Sequence, residues 1–398
     1  MPGTVKTTAT KIQVADVPTF SYADGRDSLV LATWAAASAL GRDESFTMLK
    51  GLSALAFRLM FPMDWRRCTP DALCGFDHTG LLFSPLGLRV EPVFASGSAG
   101  QEDSRRIIVE SIREGYPVIA LHLMEWDDWG VIAGCSGNGE KLYGRTPHDG
   151  GDVVQAVDES EVDPEAAPAP QPVKVRPYTR QKHWPTMLLR ITGEQPAPDR
   201  MESIRTSLHV AVDLYETEQY GPCYSGKQAY LKWIEGLRDS AWYAAQGEPE
   251  GDGATSVGAT AWIKRLRRAE KENIREDRAY GNSYLERAYV NAWRLESLID
   301  ARIAAASYLN TIAMENFKGT ANSATRMHLQ QAALRYNWLV AQLISIRPFI
   351  LWDDELDQAQ WTQAMRDRQA DLLSSARFIE EQGVVEIKAA LEEIEKGR

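Results

Sequence analysis

Between residues 283 and 317, Leu285, Ala288, Ala292, Leu295, Ile299, Ile303 and Ala306 recur at the spacing of one helix face. Arg287, Arg294, Glu296 and Asp300 fall on the other faces. A helix this long, striped along one side, has to bury its stripe against other helices. The neighbouring stretches supply them. Residues 201–217 and 226–245 are amphipathic and separated by the turn-forming YGPCYSG, while 246–258 reads as a flexible connection. Helices are expected at 322–346, with Pro348 ending the first of this pair, and at 354–396. No fixed-period repeat runs through them, so a bundle is predicted rather than a solenoid.

The first half has a different rhythm. A helix is expected at 28–40, with Asp27 as N-cap and Gly41 just past its end. A second is expected at 44–60, followed by a loop rich in Trp, Cys and Pro. Residues 88–94 alternate as a strand, and 103–114 form an amphipathic helix ended at Gly115. YPVIALHL and WGVIAGC read as buried strands, and GNGEKLYGRT as a hairpin with a third strand. Residues 157–177 are acidic and proline-rich, too poor in apolar surface to order themselves, and read as a mobile insertion or loop. WPTMLLRITG at 184–193 returns to the sheet, and the proline-containing 194–200 marks a boundary. The expected architecture is an α+β domain over 1–195 and an all-α helical bundle over 200–398.

At 398 residues, two domains are the default for such a chain. No apolar run approaches the ~20 residues of a bilayer span, and the first residues lack the apolar core of a secretory signal. The expectation is a cytoplasmic protein that enters no membrane. A net charge of -11 argues against nucleic acid; the basic cluster Lys264, Arg265, Arg267 and Arg268 sits among Glu270, Glu272 and Glu276 and reads as a solvated helix face. Cys68, Cys74, Cys135 and Cys223 form no close CxxC pair, so no metal site is expected and buried free thiols are the simpler reading.

The order of elements suggests where chemistry would sit. In papain-like folds a nucleophile stands at a helix start, where the helix dipole favours its anion. A general base then opens a later strand, and an orienting residue lies on the next. Here those positions hold Ser28, Asp128 and Thr146. Ser28 is either a nucleophile or a first-turn residue beside the Asp27 cap. Asp128 is either a base, raised by like-charge coupling to Glu125 and Asp127, or part of a solvated acidic turn. Trp126 and Trp129 either stack on a ligand or pack. His122 reads as a core group in an apolar strand, and His148, after Thr146 and Pro147, enters from the wrong side of the usual triad order. A rival location is the loop from Trp65 to His78, where Cys68, Cys74 and His78 are nucleophile and base types and Arg58 could pair with a carboxylate ligand or with Asp64. GCSGNGEK lacks the spacing of a phosphate-binding loop and lies in a hairpin, so no cofactor is expected.

Several stretches in sequence order resemble the butirosin biosynthesis protein H N-terminal-like family, which is related to papain-like C39 peptidases. They are VPTFSYADGRDSL, LKGLSALAFRLMF, DWRRCTPDALCGFD, EGYPVIALHLMEWDDWGVIAGCSGNGEKLYGRT and WPTMLLRITGEQPAP. SGKQAYLKWIEGLRD and NAWRLESLIDARIAAASYL resemble its helical companion domain. The resemblance implies a papain-like domain followed by helices, and acyl transfer from a carrier protein to an amine on a small molecule in specialised metabolism. It also maps the family's cysteine, histidine and orienting residue onto Ser28, Asp128 and Thr146, a degenerate triad. Three expectations follow: an acyl-transfer or amide-handling protein using Ser28, Cys68 or Cys74 with Asp128, His78 or His148; a non-catalytic metabolite- or partner-binding relative; or an interaction protein whose helical half forms a homodimer surface.

Overall fold

The computed structural model describes residues 1–8, 10–62, 65, 75–95, 97–123, 128–149, 178–181, 183–245, 284–319, 322–351 and 361–396. They form two compact units: Met1–Phe46 with Leu86–Pro196, and Thr47–Pro85 with Ala197–Arg398. One division falls at 196, in the proline-containing stretch read as a boundary. The second unit also takes 47–85, because Met48, Leu52, Phe57, Met60 and Phe61 belong to the same apolar cluster as the late helices.

The first unit is α+β. Its sheet has eight strands: β1 (Val5–Thr7), β2 (Lys11–Val14), β4 (Leu88–Phe94), β5 (Val118–Leu121), β6 (Trp129–Ser136), β7 (Lys141–Arg145), β8 (Thr179–Arg180) and β9 (Met187–Glu194), β3 lying in the other unit. Every pairing is antiparallel, in the order β1-β2-β6-β5-β9-β4, with β7 on β6 and β8 on β7. β6 pairs with β5 through Trp129–Ile132 and with β2 through Gly134–Ser136, while β7 follows it along Val131–Ser136. A strand has two hydrogen-bonding edges, so β5 and β2 share the edge opposite β7. The register shifts between Ile132 and Gly134, where they exchange, and such an irregularity bends and curls a sheet. Glycine is required at this crowding: a Cβ on Gly144 would lie 1.9 Å from the Val131 carbonyl oxygen.

Two helices cover the sheet. α1 (Ser28–Ala39) lies against β5 and β6, and α4 (Gly97–Arg113) against β2, β6 and β9. Ile108, Val109 and Ile112 of α4 cluster with Val118, Ala120, Ile132 and Leu188. The alternate residues Ile119, Val131 and Leu189 are also fully buried. Burial on both faces explains why β5 and β6 read as continuous apolar runs.

The second unit is mostly helical. α5 (Arg200–Glu216), α6 (Gly226–Leu237) and α7 (Ser240–Ala245) precede three long helices, α8 (Tyr284–Glu315), α9 (Ser323–Ile344) and α10 (Gln363–Lys396). α9 lies against α8 and α10, and α10 also against α5 and α6. The helix expected over 44–60 is a correction. α2 (Phe46–Leu52) stops before Ala54, whose φ is +59°, and a 3-10 turn follows at Leu55–Phe57. The chain then becomes β3 (Met60–Pro62), which pairs with β11 (Cys223–Ser225), itself paired with β10 (Gln219–Tyr220). A short helix, α3 (Thr79–Phe83), closes this excursion.

Several buried polar groups inside this unit are joined to one another, although Nε of Arg302 and Nε2 of His78 find no hydrogen-bond partner among the described residues. Arg302 and Glu380, essentially unexposed, pair at 2.5 Å. Arg302 also donates to the Ala56 and Arg58 carbonyls, and Tyr230 donates to the other Glu380 oxygen at 2.7 Å. Trp233 donates to Asn291 at 2.8 Å, and Asn291 exchanges hydrogen bonds with Gln369. Buried charge of this kind is tolerated when it is paired with an opposite charge and most of its hydrogen-bonding groups are engaged.

Candidate functional site

The start of α1 carries the first element of the site. The Asp27 carboxylate accepts from the Val30 backbone amide, the N-cap arrangement expected from the sequence, and this holds Ser28 in the first turn. Gly41, at φ +69°, follows the helix end. β6 brings the second element. The β5–β6 hairpin closes between Leu121 and Trp129, with the His122 amide donating to the Asp128 carbonyl at 3.1 Å, so Asp128 stands directly ahead of the strand. His122 is turned out of the strand at φ +67°, and its Nδ1 meets the Thr186 hydroxyl. The third element is the turn after β7. Thr146 donates from its amide and its hydroxyl to the Asp149 carboxylate at 3.0 and 3.1 Å, and the Asp149 amide returns a bond to the Thr146 carbonyl. That closed turn presents His148.

These elements come together around the start of α1. The Trp129 amide donates to Ser28 Oγ at 3.1 Å. Ser28 also lies near enough to the Tyr22 phenol to oppose part of the upward shift of its pKa. Tyr22 donates to Oδ1 of Asp128, and the other carboxylate oxygen lies 2.8 Å from His148 Nε2. An imidazole nitrogen facing a carboxylate oxygen pairs as a donor, so Nε2 carries hydrogen here. The Tyr22 ring also meets the imidazole edge-on, with centroids 5.3 Å apart. Burial, then the Asp128 charge and the hydrogen bond to it, push the Tyr22 phenol far above its usual range, against a smaller opposing pull from Ser28. Tyr22 is therefore a neutral phenol that can pass a proton but cannot hold a negative charge. The site becomes more open toward His148: the Asp128 side chain is 13% exposed and that of His148 35%.

Ser28, Asp128 and His148 thus come together, and Tyr22 joins them. Tyr22 was not among the residues singled out from sequence; it lies in the FSYADG turn before α1 and carries no spacing signal. Thr146 is buried, and its hydroxyl serves the turn rather than the imidazole. Trp129 is a correction to the ligand-stacking reading. Its ring is only 1% exposed and offers no face to a ligand from solvent, and its indole N–H has no partner among the described residues. Glu125, Trp126 and Asp127 lie outside the described residues.

The rival location belongs to the second unit, and Cys68 and Cys74 lie outside the described residues. His78 is fully buried, with Nδ1 2.8 Å from the Ser53 carbonyl and its ring 4.7 Å from that of Phe76. Burial, helped by the Arg58 charge, lowers it to about 3, so it is neutral near pH 7. The Arg58 carbonyl accepts from Arg302. Trp65, at φ +58°, is buried between Phe61, at 5.1 Å, and the Arg287 guanidinium, at 5.0 Å. Gly236 is shaped to it, since a Cβ there would meet the indole at 2.5 Å. Cys135 and Cys223 are buried, and burial raises the Cys135 thiol.

Among the described residues, no group of three or more His, Cys, Asp or Glu side chains is arranged to hold a metal ion, and no helix is long and apolar enough to cross a membrane. Comparison with protein-family models finds no match. Comparison with curated proteins likewise yields none.

Proposed function

We propose that this protein is an acyl-transfer or amide-bond-handling enzyme acting on a small molecule, with the Ser28 hydroxyl as nucleophile in a papain-like α+β domain. The observation that supports this most is the gathering at one place of Ser28, Tyr22 and the Asp128–His148 pair, with Tyr22 bonded to Asp128 and the Trp129 amide bonded to Ser28. A serine lacking a base is a poor nucleophile, and these neighbours supply a route for its proton. With a thioester as acyl donor, the Ser28 Oγ–carbonyl bond forms and the carbon–sulfur bond breaks. The Ser28 proton moves to Tyr22 as the Tyr22 proton moves to Asp128 Oδ1, and the thiolate leaves. The transfer is concerted because the buried phenol does not sustain a charge. The start of α1 adds a partial positive charge where an oxyanion would develop. The ordered resemblance to the butirosin-H-like family supports the same reaction class.

A binding role without turnover has one observation in its favour: both Asp128 oxygens and the Ser28 hydroxyl are already occupied within the chain. Intact-protein mass spectrometry after exposure to a panel of acyl thioesters separates the two. The enzyme reading expects one acyl adduct on Ser28, none in Ser28→Ala, and acylation slowed roughly a hundredfold or more in Tyr22→Phe. No adduct on the wild-type protein, or an adduct that survives Ser28→Ala, rejects Ser28 catalysis.

A further inference from the structure

The long helices of the second unit each bury one side, but the opposite sides of α8 and α9 are patterned too. On α8 the exposed positions are Ile303, Ser307, Asn310 and Met314, spaced 4, 3 and 4. On α9 the outward positions are Met327, Gln331, Leu334, Trp338, Ala341 and the cap residue Ser345, spaced 4, 3, 4, 3 and 4. This is the repeat that seats one helix against another. It stands on the solvent side, away from the core that Leu329, Ala332, Tyr336 and Leu343 already fill. The two seams lie side by side. Gln330 donates to the Met314 sulfur at 3.3 Å, and Tyr308 and Tyr336 both meet the Phe57 ring, so the helices run antiparallel with their outer sides adjacent. Every exposed position from Ile303 to Met314 and from Ser323 to Ser345 is uncharged, in a chain of which 25% is charged. Charge depletion and exposed aromatic anchors mark the cores of interfaces. Trp338 is such an anchor, 49% exposed, with the Arg335 guanidinium 4.7 Å over its ring.

We propose that this face is the interface of a homodimer, in which α8 and α9 of one copy pack on α8 and α9 of a second about a two-fold axis to make a four-helix bundle. The charges favour a second copy as the occupant. Two chains of net charge -11 repel each other, and they do so least where the surface carries no charge of its own. An anionic membrane is repelled by the same net charge, and a strongly charged partner finds nothing on this face to pair with. A second copy also brings the same two repeats at the same separation, which is what a self-complementary contact requires. Repeats of this kind pack at a crossing angle of about 20°, as in most four-helix bundles. The seams span roughly 45 Å of helix about 11 Å across, or about 500 Å² per copy before the relief of the side chains is counted. Two such faces bury about 1,000 Å², the lower edge of specific interfaces, which fits a dimer that dissociates at micromolar concentration. The proposal is independent of the Ser28 reading and applies to an enzyme and a binding protein alike.

Sedimentation velocity of the full chain from about 1 to about 100 µM is the test. The wild-type protein should pass from monomer to dimer across this range. Trp338→Ala removes the anchor and Leu334→Glu puts a charge in the seam, and each should raise the dissociation constant roughly thirtyfold or more. Phe94→Ser, at an exposed apolar position of β4 in the first unit, should leave it unchanged. Gln331→Glu adds only a charge at a polar seam position, and it is read in place of any variant that loses the wild-type helical circular dichroism. Because the face is uncharged, added salt should keep or tighten the dimer. A wild-type chain that stays monomeric at about 100 µM overturns the proposal and leaves the seams to a helix of a different protein. A dimer that the seam variants leave intact also overturns it, because that dimer uses another face. So does a dimer that dissolves in salt, which is held by charge, or an assembly larger than a dimer, which no two-fold closes.

Discussion

His78 ties the stability of the helical unit to pH. Its side chain is fully buried, and burial together with Arg58 holds it at about 3, against 6.5 for an ordinary imidazole; the Ser53 carbonyl bond and Asp77 oppose this only in part. The folded state therefore binds fewer protons than the unfolded state between these two values. Stability from this group is fully present above about pH 6.5 and is lost as pH falls toward 3. At pH 4.5 the unfolded chain has gained about two units of protonation advantage, worth roughly 3 kcal/mol, and the full span is worth about 5 kcal/mol. His78→Gln replaces the titrating ring by a neutral amide that can still donate to Ser53. Urea unfolding of the wild-type and variant proteins, followed by helical circular dichroism at pH 7 and 4.5, measures the difference. The wild-type protein should lose about 3 kcal/mol more than the variant over that interval, after the carboxylate contribution common to both has cancelled. Equal losses, within about 0.5 kcal/mol, would refute the reasoning, since a buried neutral imidazole cannot be pH-silent.

Two further substitutions probe packing. Glu380→Gln leaves the Arg302 charge buried without its counter-charge and should cost about 3–5 kcal/mol, whereas Tyr230→Phe removes one neutral donor to Glu380 and should cost about 1–3 kcal/mol. Denaturant unfolding orders the two, and equal costs would mean that the ion pair contributes nothing beyond a hydrogen bond. Gly144→Ala places a Cβ against the Val131 carbonyl oxygen, where no rotamer change gives relief. It should lower the stability of the first unit by roughly 2–3 kcal/mol or more, read as an earlier melting transition.

Local signals carried much of the fold. The Asp27 cap and Gly41 frame α1 because capping is chemistry within a few residues. Strand 88–94 was legible because its alternation is local, and the helix over 283–317 was legible from its spacing, although Ile303 of that stripe is 51% exposed while Arg294 and Glu296 are buried. The helix expected over 44–60 is realised only over Phe46–Leu52, because the run from Leu52 to Phe61 is mostly apolar without a clear helical stripe. Such a run suits a buried strand as well as a helix, and the deciding pairing is with residues 223–225. The site shows the same division. Ser28 and Asp128 are marked by element order, but the bond between Tyr22 and Asp128 spans 106 residues and that between His148 and Asp128 spans 20. The latter depends on the curl of β6 and β7 and on the Thr146–Asp149 turn, neither of which leaves a spacing pattern. Trp129 stood open between stacking on a ligand and packing because an aromatic beside acids is ambiguous until the strand's two-sided burial is known.

The pairing of β3 with β11 also has a consequence for synthesis of the chain. Met60 meets Ser225 and Pro62 meets Cys223, so this strand has no partner until 225 residues have been made. The first unit needs nothing beyond Pro196 and can complete its sheet before the later helices, from Arg200 onward, are made. The apolar strand Met60–Pro62 therefore waits unpaired while the ribosome adds its partner. At about 5–20 residues per second, the thirty or so residues from Pro196 to Ser225 emerge in a few seconds. During that interval, association between nascent chains through this strand competes with its proper closure.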